Sequence, residues 1–366
     1  MITVAMLHSV GSNHTQWCDK WLSIDKGHFE IFCKYLAKHH YKTDFLDRWY
    51  YLEDHPEEKS KKDLFLTFDD GYLDNLLIAY PILKKYGLKA TIFVNPEFVD
   101  PTSCGIRTLD GRNGNTLGFL NWDEIRFLDK TPEIDIQSHS MSHNFYFATD
   151  KLVDIYTGQN TYHWMPWIAR NDQKMYWQDT DQSSFVSFGT PVFEKGRALG
   201  LRRYFPSEEL NTLGVSLYQQ GLEKGAIMQQ LREAMTRFHG TFETDEDMET
   251  RYRYELFESK RILEEQLHKK VDYLCWPGGG YNELSLQLAE EAGYKASTVA
   301  SKYRKEVDNQ GKAYKRIARR GLSSCKKVGA NLVPVDNENY LLHSYFSKLR
   351  GSKWHGIILE IIKKCK

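Results

Sequence analysis

Two pairs of side chains in this chain have the types and spacing for hydrolytic chemistry. Asp69 and Asp70 lie side by side in Thr67-Phe68-Asp69-Asp70-Gly71, and His139 and His143 lie four apart in Ser138-His139-Ser140-Met141-Ser142-His143. One carboxylate can hold a metal ion while the other takes a proton from water. Adjacent residues of a strand point to opposite faces, so paired aspartates suit the interior of a sheet poorly. At the end of a buried strand they become useful. Leu64-Phe65-Leu66 supplies that strand, and Gly71 lets the backbone bend so that both carboxylates reach one pocket. Read alone, Asp-Asp-Gly is equally a solvated turn.

The histidines follow Ile134-Asp135-Ile136, which reads as a strand. On an extended chain they would stand ~13 Å apart, at about 3.3 Å per residue. A shared ion, held at about 2.0–2.1 Å by each nitrogen, therefore requires the chain to coil as it leaves the strand, and the flanking serines favour such a turn. The plain alternative is two histidines in a polar loop.

The elements that must carry these residues recur along the chain. Short β-branched and apolar runs predict strands at Val4 to His8, Leu64 to Phe68, Ala90 to Val94, Ile134 to Ser138, Val271 to Trp276, Ala296 to Ala300 and Lys315 to Ala318. Helical patterns occupy Gly27 to His39, Leu73 to Tyr86, Trp122 to Leu128, Tyr252 to His268 and Glu283 to Ala292. Alternation of this kind implies an α/β fold of parallel βαβ units with ligands at the strands' carboxyl ends, and seven strands suit a barrel. The pattern breaks between Asn144 and Met248, a stretch too long for a simple connection. The expected organisation is a discontinuous barrel (residues 1–143 and 249–330), an inserted subdomain over the strand ends (144–248) and a C-terminal helical extension (331–366). Trp164, Trp167 and Trp177 in the insertion either offer a sugar-stacking surface or are buried beneath it.

Composition narrows the function classes. Lys+Arg and Asp+Glu are both 49, so no basic field exists to follow a phosphate backbone, which argues against nucleic acid. No apolar run approaches the roughly 18 residues of a membrane span. Ile357-Ile358-Leu359 with Ile361-Ile362 reads as an amphipathic helix between lysines. The opening Met1-Ile2-Thr3-Val4 lacks the pattern of a secretory signal, and six scattered cysteines suit free thiols, so a cytoplasmic location is expected.

Taken in order, Thr67-Phe68-Asp69-Asp70-Gly71, Ser138-His139-x-x-x-His143 and the strand Val271 to Trp276 running into Pro277-Gly278-Gly279-Gly280-Tyr281-Asn282 resemble the three motifs of the polysaccharide deacetylases, the NodB-homology carbohydrate esterases of family 4. The stretch from Ser259-Lys260 to Glu291-Ala292-Gly293-Tyr294 is also similar to that family. The resemblance spans roughly residues 1–143 and 250–320, outside the insertion. It implies a distorted (β/α)7 barrel. It also implies a metal site of Asp70, His139 and His143 holding one divalent ion, zinc first, with cobalt, nickel or iron able to replace it. Asp69 resembles the catalytic base. Gly278 resembles the backbone oxyanion donor, with Pro277 and Tyr281 beside it at the substrate.

Two positions depart from that pattern. The arginine that usually opens the third motif and orients the base is replaced by Cys275, and Arg316, Arg319 and Arg320 are the candidates to stand in for it. The general acid is usually a histidine in a late Leu-x-His motif. Leu341-Leu342-His343 has those letters but sits in a helical pattern, whereas Met6-Leu7-His8 ends the first strand. That placement resembles the permuted poly-N-acetylglucosamine deacetylases, and it favours His8 over His343. The implied activity is metal-dependent removal of N-acetyl groups from an N-acetylated sugar in a glycan or glycan precursor. The alternatives are another amidase or an O-acetyl esterase with the same metal site, or a carbohydrate-binding protein without catalysis. The insertion would narrow the pocket toward a small or terminal sugar.

Overall fold

The computed structural model describes residues 2–11, 22–102, 105–299, 301–322, 325–328, 331–334, 342–346 and 349. Seven parallel strands close into a barrel: β1 (Thr3–Leu7), β2 (Leu64–Phe68), β3 (Ala90–Val94), β4 (Ile134–Ser138), β5 (Tyr273–Leu274), β6 (Ala296–Val299) and β7 (Lys315–Gly321). The chain runs around it in the order β1-β7-β6-β5-β4-β3-β2, and β2 pairs back onto β1 through Thr3↔Leu64 to Leu7↔Phe68. The first strand therefore lies between the last and the second.

Alternation along each strand sorts side chains into two layers. Val4, Phe65, Phe93, Tyr273, Cys275 and Ile317 fill the barrel interior, continued by Leu46, Trp49 and Leu52 of the helix Leu46–Asp54. Leu64, Leu66, Phe68, Ile92, Val94, Ile134 and Ile136 face outward and pack against surrounding helices, among them Phe29, Phe32 and Leu36 of Lys26–Lys38. The same parity that sends Phe65 and Thr67 inward carries on to Asp69.

Several boundaries differ from expectation, each for a local reason. β5 has two residues, because side chains replace ladder partners on both sides of it. Gln137 Oε1 accepts from Tyr273 N at 2.9 Å, and Thr298 Oγ1 accepts from Trp276 N at 3.1 Å. β7 continues three residues beyond Ala318, paired with β1 through Met6↔Gly321. The helix expected from Tyr252 begins at Asp245, where Thr244 caps the Asp247 N–H and three acidic residues occupy the first turn.

The expected C-terminal helical extension over 331–366 is corrected at its start. Asn331–Pro334 is a strand, antiparallel to Cys325–Val328. Pro334 lacks the N–H a helix interior needs, and Val333 favours extended backbone. Residues 342–346 are helical, with Tyr345 and Phe346 against Phe32 of the first helix. The expected helix at Ile357 to Ile362 and the end of the Ala296 to Ala300 strand lie outside the described residues. Cys33 and Cys275 are buried free thiols.

The insertion is built on a long hairpin, Phe145–Ile155 with Pro191–Arg197, backed by the helices Glu208–Gln219 and Lys224–Ala234. Leu152, Ile155, Phe193, Leu210, Ile227 and Leu231 give it a core of its own. A second cluster joins Trp164, Trp167 and Met175 to Tyr72, Phe98 and Phe119 of the barrel loops. Among the described residues, no helix is long and apolar enough to cross a membrane.

Candidate metal centre and active site

Backbone geometry brings both aspartates to one place. The Asp69 N–H still donates to Leu7 O at 3.0 Å, so Asp69 continues the inward face of β2. Asp70 (φ 75) and Gly71 (φ 71) then adopt left-handed conformations in succession and turn the Asp70 carboxylate back over the strand end. A Cβ on Gly71 would come 2.5 Å from Val94 Cγ1, so no side chain fits there.

The histidines coil as a shared ligand requires. His139 N donates to Val94 O at 2.9 Å at the end of β4, and the chain then passes through left-handed residues at Ser140 (φ 63) and His143 (φ 54). Each such non-glycine residue costs on the order of 1 kcal/mol or more. Buried hydrogen bonds offset that cost. Glu255 accepts from Met141 N (3.1 Å), Ser142 N (3.0 Å) and Ser142 Oγ. Lys174 Nζ, from the insertion, donates to Ser142 O at 2.9 Å and pairs with Glu97. Asn95 Nδ2 reaches the His139 and Ser140 carbonyls.

The side chains fit a cation. His139 Nδ1 lies 2.8 Å from Cys275 O, a group that only accepts, so Nδ1 carries the hydrogen and Nε2 presents its lone pair. That Nε2 is 3.1 Å from Asp70 Oδ1, and His143 Nε2 is 3.4 Å from the same oxygen. Asp70 Oδ1 is buried without a hydrogen-bond partner, and the ligand atoms of the three residues lie within 4.8 Å of one another. One oxygen and two imidazole nitrogens around an orphaned carboxylate oxygen form a donor set that suits zinc. A second group, Asp69, His139 and Cys275, is also compact, but the Arg319 guanidinium already occupies it.

The charges at the site follow from burial and neighbours. Burial opposes ionisation of Asp70, yet His139 and the other imidazoles hold its carboxyl well below the usual range. Burial pushes His143 down to about 3 against the pull of Asp70. It works the same way on His139, where Cys275 and Asp70 outweigh it and raise the imidazole. Burial would also raise Asp69, but Arg319 lowers it.

Arg319 grips Asp69 with both ends of its fork, Nη1 to Oδ1 at 2.6 Å and Nη2 to Oδ2 at 2.8 Å. Its Nη1 also donates to Thr67 Oγ1 at 3.1 Å. Cys275 Sγ sits 2.9 Å from Arg319 Nη2 and 3.4 Å from Asp69 Oδ2, so the thiol lines the space that the guanidinium enters from β7. Of the three candidate arginines, only Arg319 shares the inward parity of Ile317. Arg316 instead lies over the Tyr281 ring. His8, at the end of β1, places Nε2 3.7 Å from Asp69 Oδ2, and burial lowers its pKa against the charges of Asp69 and Asp70.

Barrel and insertion together line a cleft of about 700 Å³. Asp69, Asp70, His8, His139 and His143 line its floor. The insertion contributes Phe145, His163, Trp167, Trp177, Lys195 and Arg197. His163 stacks on Trp177 with ring centroids 5.2 Å apart, and Trp167 meets Trp177 edge-on at 5.1 Å. Trp164 is core, whereas Trp167 and Trp177 border the cavity.

The profile of the polysaccharide deacetylase family matches residues 56–175 and 233–297, just over half of the chain. The chain belongs to the polysaccharide deacetylase family. Over 93 residues it is 38% identical to YxkH of Bacillus subtilis (strain 168), which carries a polysaccharide deacetylase name; the match spans 25% of this chain and 31% of that protein. Its fold is similar to that of a de-N-acetylase from Aggregatibacter actinomycetemcomitans, with TM-score 0.52 and 15% identity over 87% of this chain and 94% of the other. The BpsB deacetylase domain from Bordetella bronchiseptica is similar to the same extent, with TM-score 0.52 and 15% identity over 87% and 96% of the two chains. These likenesses support the barrel fold.

Not every residue singled out by the deacetylase motifs reaches the cavity. Gly278 borders it in a left-handed conformation (φ 53). Pro277 is buried below the loop, and Tyr281 packs against Trp276 at 5.5 Å, so neither lines the cavity. His343 lies on the short helix whose Tyr345 and Phe346 pack against Phe32 of the first helix. Sequence reasoning overlooked Glu255, Lys174 and Arg197. Glu255 falls within a π-turn, Tyr254–Glu258, that interrupts a continuous helical pattern and leaves no mark in the sequence.

Proposed function

We propose that this family member is a metal-dependent hydrolase that removes the acetyl group from an N-acetylated sugar of a glycan or glycan precursor. The observation that carries the reading is the buried, unpartnered Asp70 oxygen facing the Nε2 atoms of His139 and His143, beside a second carboxylate held in ionised form by Arg319. Asp70, His139 and His143 would hold the ion. When bound, a zinc-class ion polarises the acetamide carbonyl and makes water acidic enough to attack near pH 7.

The chain's own residues then manage the protons. Asp69 accepts one from water, with Arg319 fixing the orientation of its carboxylate and preserving its charge in a buried site. His8 delivers a proton to the sugar nitrogen as the C–N bond breaks, so that a neutral amine leaves with acetate as the other product. The backbone N–H of Gly278 serves as donor to the carbonyl oxygen. The cleft, narrowed by the insertion wall, suits a short or terminal saccharide, with Trp177 and Trp167 placed to lie against a sugar face.

The test is acetate release from short N-acetylated saccharides and long chitin chains, with and without chelator. Activity should vanish on chelation, return with zinc and favour short substrates. Asp69→Asn should retain the metal and lose turnover. A protein that takes up no zinc, or that is unchanged by Asp69→Asn, would sink the proposal.

A further inference from the structure

We infer that the saccharide taken by this site is anionic, carrying a phosphate or carboxylate group near the acetylated sugar that Arg197 receives from the insertion wall. The identity of the sugar as an acetylated one rests on the deacetylase reading above; the charge does not.

The cavity is rich in cations. Lys195, Arg197, Arg304 and Arg320 line it together with Arg319, while the carboxylates among the described lining residues are Asp69 and Asp70. Asp69 is bound to Arg319, and Asp70 faces the two histidines. A divalent ion held by Asp70, His139 and His143 would add positive charge to this side of the cavity.

Arg197 is half-buried, and it differs from the other shielded cations of the molecule. Arg107 is paired with Asp100 and Glu124, Arg251 with Glu243 and Lys174 with Glu97. Among the described residues, the Arg197 guanidinium has no carboxylate or hydrogen-bond partner and instead lies 3.9 Å from the centroid of the Phe145 ring. Burial has pushed its pKa down to about 10, with the charge of Asp70 working the other way. A partly desolvated guanidinium without a counter-ion carries a cost, and ring stacking offsets only part of it.

The third motif makes room for this side chain. A Cβ on Gly278 would lie 2.1 Å from Arg197 Cζ, and one on Gly280 would lie 2.1 Å from Arg197 Cβ. Gly278 needs its left-handed backbone in any case. Gly280, with φ −87 and ψ 117, has a conformation open to any residue, so its missing side chain answers the space that Arg197 occupies. The arginine is thus seated in a slot and stacked on a ring, with its planar fork fixed beside the proposed reaction centre. A neutral acetamido sugar supplies no countercharge there; a phosphate or carboxylate does, in the bidentate geometry that a guanidinium favours.

Calorimetric titration of the zinc-loaded protein with matched pairs tests this. The pairs are N-acetylglucosamine against its 1-phosphate, and chitotetraose against a hyaluronan tetrasaccharide, whose alternate sugars carry carboxylates. At low salt the anionic member of at least one pair should bind about tenfold more tightly, the effect of one charge-assisted contact. That advantage should shrink as salt is added. Which pair shows it tells phosphate from carboxylate. Arg197→Met should remove most of the advantage and Arg197→Lys should keep part of it. Should the methionine variant not fold, the wild-type comparison and its salt dependence decide alone. Equal binding within both pairs overturns the inference. So does an Arg197→Met protein that weakens neutral and anionic ligands alike, which would place Arg197 at the reacting carbonyl instead. Acetate release from neutral saccharides without anionic preference leaves the deacetylase reading standing and this inference fallen; anionic preference without acetate release does the reverse.

Discussion

On the barrel side of the cavity Asp69, His139 and the turn that carries His143 are each held by buried partners. Arg319 holds Asp69, the Cys275 carbonyl holds His139, and Glu255 with Lys174 ties down the turn that carries His143. On the insertion side the rings of His163, Trp167 and Trp177 lean on one another, and Arg197 rests on Phe145. The first wall is a rigid polar network, costly to alter because each lost partner leaves a buried charge exposed to low dielectric. The second presents flat faces and a guanidinium to whatever enters. In the proposed reading, reaction chemistry and recognition are divided between two parts of one chain. The family profile matches the three motifs together with residues 144–175 of the insertion, and it passes over residues 176–232, which carry Trp177, Lys195 and Arg197.

The largest effects should come from the barrel wall. His8→Ala should lower acetate release about 10²- to 10⁴-fold, the range expected for a lost general acid, while His343→Ala should leave it intact. The opposite result, measured in the same assay, would return the acid to the C-terminal helix. Arg319→Met comes next. It leaves Asp69 buried without its guanidinium, so thermal unfolding should show a loss of about 3–5 kcal/mol, and the acid limb of the rate profile should move to higher pH because burial is then opposed only by the charges of His8 and His139. Adding Cys275→Arg to that variant would place a guanidinium next to Asp69 from the end of β5, across the barrel, and partial recovery is expected. Without recovery, the grip on Asp69 depends on the direction from which the arginine comes.

The insertion wall should respond more gently and in a different parameter. Trp177→Ala should raise KM about tenfold with little change in kcat, as the loss of a stacking face would. A kcat effect equal to the KM effect would place the indole at the reaction instead and dissolve the division between the walls. The smallest effect concerns how the insertion is held to the barrel. Glu243 and Arg251 form a bidentate pair at 2.7 and 2.6 Å. Although burial works against ionisation of Glu243, Arg251 keeps its pKa below the ordinary carboxyl value. A depressed carboxyl pKa contributes stability that is present above the unfolded value and lost as pH falls through the folded one. Hydrogen exchange in the hairpin Phe145–Ile155 should therefore speed up below about pH 4.5, before the barrel strands respond.

Much of this was legible in the residues. Apolar runs placed the seven strands within a few positions, because buried parallel strands must be nearly continuous in Val, Ile, Leu and Phe. Asp69, Asp70, His139 and His143 stood out because few arrangements other than a metal site call for that set at successive strand ends. Arg319 was within reach: counting in twos from inward-facing Ile317 selects it over Arg316 and Arg320, provided that β7 is known to extend to Gly321. That extension depends on pairing with β1, a neighbour more than three hundred residues away in sequence. His8 was favoured over His343 for the same kind of reason, since only a closed barrel puts the end of the first strand beside the second.

By itself the sequence determined which residues can bind a cation, move protons and make a tight turn, since those capacities belong to side-chain chemistry and to local backbone preference. Tertiary structure alone decided which of them meet. The inward parity of three strands brings Arg319, Asp69 and Cys275 together. The insertion folds back so that Arg197 fills the space left by Gly278 and Gly280, and Lys174 steadies the turn before His143. Such pairings join segments tens to hundreds of residues apart, and their energy comes from burial and from contact geometry, neither of which exists until the chain has closed on itself.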